Sequence, residues 1–248
     1  MAGVKTLLQS SNRSAIWRVE LLGRPTFVSK EFTFSDADSN LEISLHEKLN
    51  SVPGVVRGIG SSFEGKPRLL SEYCARGSIK AFFVLRNEPL SEAELLGLYS
   101  QMARTVRLVH EQGVIHGAIS AENWLLTANM QPKLIDFGHA QDLSVSEPIA
   151  YKAQSSKKLP EHLSMNDATS LSMVFYQMAT REFNAEVFGM SVTAIKFACR
   201  QQGYSHKVHD EICQLSPYPE EFDLETFEMP GVMEAPEEAP DYFFFLPR

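Results

Sequence analysis

Long hydrophobic runs are missing from this 248-residue chain. No stretch of about eighteen apolar residues occurs, so no membrane-spanning helix is expected. The first residues, MAGVKTLLQSSNRSAIW, carry no long apolar core and do not read as a signal peptide. Cysteine is scarce. Cys74, Cys199 and Cys213 are odd in number, lie far apart and form no C-x-x-C pair, which argues against a disulfide framework and against a zinc site. His206 and His209 are three apart, but no further ligand set accompanies them, so no metal site is expected there. A reducing compartment follows, with the cytoplasm as the expected location. An excess of positive charge is also missing. The net charge is −8, and nine acidic residues without a Lys or Arg fall between Pro219 and Asp241, which leaves the rest of the chain near +1. Nothing in that balance is the basic footprint of a nucleic-acid binder.

What is present is patterned. WRVELLG and RPTFVSKEF flank a turn around Gly23 and are rich in β-formers, which predicts a hairpin; VVRGIGSSFEG and KPRLLSEYC predict a second. Between them SDADSNLEISLHEKLN places Leu41, Leu45 and Leu49 at helical spacing behind Asp and Ser residues suited to an N-cap. Gly77-Ser78 opens a short helix, SIKAFFVLRN. Ser91 with Glu94 forms a capping-box pattern ahead of a long helix that stops at Gly113. ATSLSMVFYQMAT is apolar nearly all round, as a buried central helix is. The expectation is an α+β chain: a small antiparallel-sheet lobe over 1–73, a hinge near Glu72 to Gly77, a mainly helical lobe over 74–216, and an acidic, Pro-rich tail over 217–248. The tail reads either as a solvated extension or as an arm that docks on other proteins through its aromatic block, Tyr242 to Leu246.

Several short motifs occur in a fixed order. His116 precedes Asn123 by seven residues, and Asp136-Phe137-Gly138 begins thirteen residues after Asn123. FVSK ends at Lys30, LLSEYCARGSIKAFF places Ser71 ahead of a linker, Leu159-Pro160-Glu161 follows, and Asp167 opens the apolar helix. Together these resemble the eukaryotic protein-kinase family, of serine/threonine type, over roughly residues 9 to 215. The resemblance implies the two-lobed kinase fold. It also implies an ATP site with Mg²⁺: Lys30 at the α/β-phosphates, a helix glutamate holding Lys30, Ser71 as gatekeeper, and Asn123 and Asp136 as metal ligands. Glu42 is the candidate partner of Lys30, with Glu47 as a rival because the interval from Lys30 is short for the family. His116 is expected to be structural, packing under Phe137. Cys74 falls at the hinge as a small buried hydrophobe.

The departures from that pattern are concentrated in the machinery of transfer. Ala118 stands where the family has its catalytic aspartate, Gly117 where many members have an arginine, and Ser120 where a lysine commonly helps hold the γ-phosphate. The segment LLQSSNRSAIWRV, aligned with the glycine-rich loop, contains no glycine. Arg13 within it suits either contact with phosphate or obstruction of the pocket. Losing a general base typically costs about 10²–10⁴-fold in rate. The implied function is therefore a pseudokinase, acting on other proteins as a scaffold or allosteric partner with little or no phosphotransfer. An atypical, weakly active serine/threonine kinase is one alternative. A structural component of a larger assembly, for example a cytoskeletal one, is another. Tyr151, Ser155 and Ser156 are candidate phosphorylation positions in the segment after Asp136, where Gly117 removes the usual phosphate reader.

Overall fold

A computed structural model describes residues 3–63, 65–146, 161–183, 199–205 and 208. The tail 217–248, Tyr151, Ser155, Ser156, Leu159, Pro160, His206 and His209 lie outside the described residues. The chain opens with a five-stranded antiparallel sheet in the order β1-β2-β3-β5-β4, formed by β1 (Gly3–Ser10), β2 (Ser14–Leu21), β3 (Phe27–Phe32), β4 (Gly58–Ser62) and β5 (Arg68–Glu72). Both expected hairpins are present. Strand β1 adds to them and is exposed along all eight residues, so only its ladder with β2 defines it.

Helix α1 (Ala37–Lys48) separates β3 from β4. Asp36 is its N-cap and accepts from the Ser39 amide at 2.9 Å, while Ser39 Oγ accepts from the Asp36 amide at 3.1 Å, so two orphan donors are satisfied reciprocally. Its inner face is made by Glu42, Ile43, Leu45, His46 and Leu49, whereas Leu41 is 39% exposed. The expected stripe of Leu41, Leu45 and Leu49 is thus only partly inward. Each four-residue step overshoots a turn by about 40°, so Leu41 and Leu49 end about 80° apart.

The helical portion follows through α2 (Ile79–Leu85), α3 (Glu92–Glu111) and α5 (Glu161–Thr180). Between α3 and α5 run the short strands β6 (Val114–Ile115), β7 (Trp124–Leu126), β8 (Pro132–Leu134) and β9 (Gln141–Asp142), then the single turn α4 (Leu143–Ser146). The Ser91–Glu94 capping box forms, with the Glu94 carboxylate accepting from the Ser91 amide at 2.9 Å. Helix α5 differs from expectation: it begins at Glu161, so Asp167 sits nearly two turns inside a continuous helix rather than opening one. Leu171, Val174, Phe175, Met178 and Ala179 are buried along α5, and its Ser172 hydroxyl meets Tyr99 of α3 at 3.2 Å.

The sheet and the helical portion are stitched at two places. The loop after α1 bonds strand β8, with the Val56 amide donating to Leu134 and the Leu134 amide donating to Gly54. Lys48 at the end of α1 donates to both Asp142 carboxylate oxygens, at 2.9 and 3.0 Å, and to Ser144 Oγ at 3.0 Å. One apolar core runs from α1 through α3 to α5, and a smaller cluster of Phe32, Ile43 and Leu69 fills the space between sheet and helix.

Candidate functional site

The junction of the two portions encloses a cavity of about 640 Å³. Ile16, Val28, Leu125 and Ile135 give it apolar walls, and it is bordered by Ser71 of β5 and by Tyr73 and Cys74 in the segment joining β5 to α2. That segment is itself pinned: the Arg76 amide donates to Leu126 and the Leu126 amide to Gly77, which fixes the linker against β7. Burial pushes the Cys74 thiol up to about 12.

Lys30, Glu42 and Asp136 come together on one wall although 106 residues separate the first from the last. Strand β3 aims Lys30 inward, and its ammonium lies 2.6 Å from Glu42 and 2.9 Å from Asp136. Glu47, the rival partner, faces elsewhere and accepts from Ser61 Oγ at 2.6 Å. Burial opposes the Lys30 charge, but Glu42 and Asp136 outweigh it and hold the ammonium above its ordinary range. Burial likewise opposes the Asp136 charge, and Lys30 overrides it to hold that carboxyl low. For Glu42 burial dominates and lifts the carboxyl above its usual range against the pull of Lys30. Asp136 has φ 66°, a left-handed conformation that Asp tolerates better than most residues.

The loop from His116 to Asn123 keeps its frame. The buried Asp167 carboxylate accepts from the amides of His116 (2.8 Å) and Gly117 (2.9 Å) and meets His110 Nε2 at 2.9 Å. His116 packs edge-on against Phe137, with ring centroids 5.1 Å apart, and its Nε2 meets the Ile135 carbonyl at 3.0 Å. Asn123 Nδ2 donates to the Ala118 carbonyl at 2.9 Å, which leaves its side-chain oxygen for another partner. Gly117 has φ +72°, and a Cβ on it would meet the His139 carbonyl oxygen at 2.8 Å. At Ala118 the loop presents a methyl group. Glu122, the neighbouring carboxylate, is taken up by Lys80 at 2.7 Å.

Three features were not read from the sequence. The turn between β1 and β2 is closed by Ser11, whose hydroxyl accepts from the amides of Arg13 (3.2 Å) and Ser14 (3.1 Å). The hairpin thus answers its own donors. Serine in a tight turn is the available signal. The second feature is His46, one turn after Glu42. It is 2% exposed, it contacts Phe137 edge-on at 6.5 Å, and neither ring nitrogen has a hydrogen-bond partner. The third is the Lys48–Asp142 bridge, which no local pattern announces.

An ion-paired strand lysine, a loop asparagine and a D-F-G aspartate around a cleft between a sheet and a helical portion define a protein-kinase domain. The chain belongs to that family: the family model for the protein kinase domain matches residues 26–223. It is 28% identical over 193 residues to the human serine/threonine-protein kinase Nek5, an alignment covering 71% of this chain and 27% of that protein. It is 24% identical over 173 residues to a probable serine/threonine-protein kinase of Dictyostelium discoideum, covering 67% of this chain and 12% of that one. It is 25% identical over 201 residues to the discoidin domain-containing receptor tyrosine kinase B of Caenorhabditis elegans, covering 79% and 24%. The chain thus spans about a quarter or less of the length of these relatives. Among the described residues no helix is long and apolar enough to cross a membrane.

Proposed function

We propose that this chain is a pseudokinase: a kinase-fold domain that takes up Mg²⁺ and ATP in its cleft, transfers phosphate little or not at all, and acts on partner proteins as a scaffold or allosteric element. The carrying observation is Ala118. Its amide donates to His116 Nδ1 at 3.2 Å and its carbonyl accepts from Asn123, so the backbone of a catalytic loop is kept while the proton acceptor is not. Glu122 does not replace it. Burial would raise that carboxyl, but its bond to Lys80 prevails and lowers it, which makes it a poorer base as well as a tethered one.

The residues fit a nucleotide better than they fit a reaction. Lys30 offers a charge to phosphate oxygens, Asn123 and Asp136 offer the hard oxygens that Mg²⁺ selects, and the apolar walls accept a flat base. Bound Mg·ATP supplies a transferable phosphoryl group. The chain's own residues orient it, and none among those described takes the proton of an acceptor hydroxyl. Other proteins are the proposed partners, with the acidic tail 217–248 as one docking element.

The test is a thermal shift with ATP, with and without Mg²⁺, beside a phosphotransfer assay on generic protein substrates. A Mg²⁺-dependent shift lost in Lys30→Ala and Asp136→Ala, with no transfer above background, is the expected result. A ligand at about 100 times its Kd adds about 2.7 kcal/mol, so the shift is measurable. Robust turnover abolished by Asp136→Ala would sink the proposal in favour of an atypical active kinase, the reading that the assembled Lys30–Glu42–Asp136 cluster otherwise favours.

A further inference from the structure

We propose that Arg13 is a phosphate-reading side chain of the cleft, parked on two aspartates until a nucleotide draws it away. The inference rests on the nucleotide reading above and adds a residue and a regulation to it. Among the described residues lining the cavity, Arg13 and Lys30 are the cations, set against the carboxylates of Asp36, Asp38, Glu42, Glu122 and Asp136. Lys30 is held inside by two of those carboxylates. Arg13 is held from outside, at 2.7 Å from Asp38 and 3.6 Å from Asp36, with side-chain exposures of 59%, 62% and 44% respectively.

Exposed pairs of this kind are weak, because water screens both partners. A guanidinium that exchanges one carboxylate for a phosphate in a half-enclosed cleft gains a paired, charge-assisted contact in a less watery place. The exchange needs no backbone change. The Arg13 amide already donates to Ser11 Oγ, and the Arg13 carbonyl accepts from the Thr33 amide at 2.8 Å. The hairpin tip is fixed and only the side chain swings. Because the hairpin amides of Arg13 and Ser14 are occupied by Ser11, the tip's contribution to phosphate binding passes to this side chain. Its release also frees Asp38 in the first turn of α1, the helix that carries Glu42.

The experiment is calorimetric titration of Mg·ATP, ADP and adenosine into the wild-type chain, Arg13→Ala and Asp38→Asn, each checked for an unchanged melting temperature. Asp38 is chosen because Asp36 also caps α1. Arg13→Ala is expected to weaken Mg·ATP by about tenfold and to leave adenosine within about twofold. Asp38→Asn is expected to tighten Mg·ATP by about two- to threefold, without effect on adenosine. Unchanged or tighter Mg·ATP binding by Arg13→Ala overturns the proposal and makes the residue a brace or a shield. An equal loss for adenosine also overturns it, since the effect would then not be read through phosphate. If the wild-type chain binds neither Mg·ATP nor adenosine, the nucleotide reading itself falls. If both bind and Arg13→Ala is silent, only the assignment of Arg13 falls.

Discussion

Acidification should loosen this fold through His46 in particular. The imidazole is buried against Phe137 with both nitrogens unpartnered, and Gly58 lies so close that a Cβ there would stand 2.9 Å from His46 Nδ1. Burial, reinforced by the Lys30 charge and only slightly opposed by Glu47, lowers its pKa from 6.5 to about 4. The unfolded chain therefore takes up a proton below pH 6.5 that the folded chain refuses until about pH 4. Stability is complete above the upper value, is lost as pH falls through the window, and levels off below it. At about 1.36 kcal/mol per pH unit the full loss is about 3 kcal/mol, of which about 2 kcal/mol is gone by pH 5. Against a typical domain stability of about 5–15 kcal/mol that is a large share. The assay is urea unfolding of wild type and His46→Leu between pH 4 and 8. Carboxylates and the likewise lowered His116 contribute to both curves and cancel in the difference. The variant should gain on the wild type by about 2 kcal/mol between pH 7.5 and pH 5. Parallel curves would refute the reasoning and place His46 in contact with water or a hidden partner.

Lys30→Met should leave Glu42 buried without its cation. A carboxyl already lifted by burial climbs further, so the variant should stand closest to wild type near pH 5 and lose most at pH 8, as melting temperatures at the two values would show. Asp167→Asn removes the charge that receives the His116 and Gly117 amides, and a loss of about 2 kcal/mol in urea unfolding is expected. Cys74, 3% exposed with its thiol pushed up to about 12, should resist a maleimide in the native state and react only on unfolding, which timed mass spectrometry would follow.

The hairpins, the long helices and the approach of Lys30 to Asp136 were legible because β-rich runs, capping boxes and ordered motifs are local signals whose spacing survives in the chain. The choice between Glu42 and Glu47 was not settled by counting from Lys30, but helical phase decides it. Glu42 shares the inward face with Leu45, whereas Glu47 is five residues on, about 140° around the helix. The same phase points to His46, a polar residue on a buried stripe. Strand β1 carried no alternation because neither of its faces is buried, so nothing in GVKTLLQS marks it. The Lys48–Asp142 bridge joins residues 94 apart and belongs to tertiary geometry alone.

Gly117 bears on whether the departure from the family pattern is reversible. Position 118 is open to repair by a single substitution, because Ala118 already holds the backbone bonds of the loop. Position 117 is not. Any side chain there must adopt a left-handed backbone and displace the His139 carbonyl, so an arginine returns only after the turn at 137–140 has moved. The two neighbouring departures from the family pattern are therefore unequal in what the fold demands: one lies within reach of a single substitution, the other needs a change elsewhere in the turn.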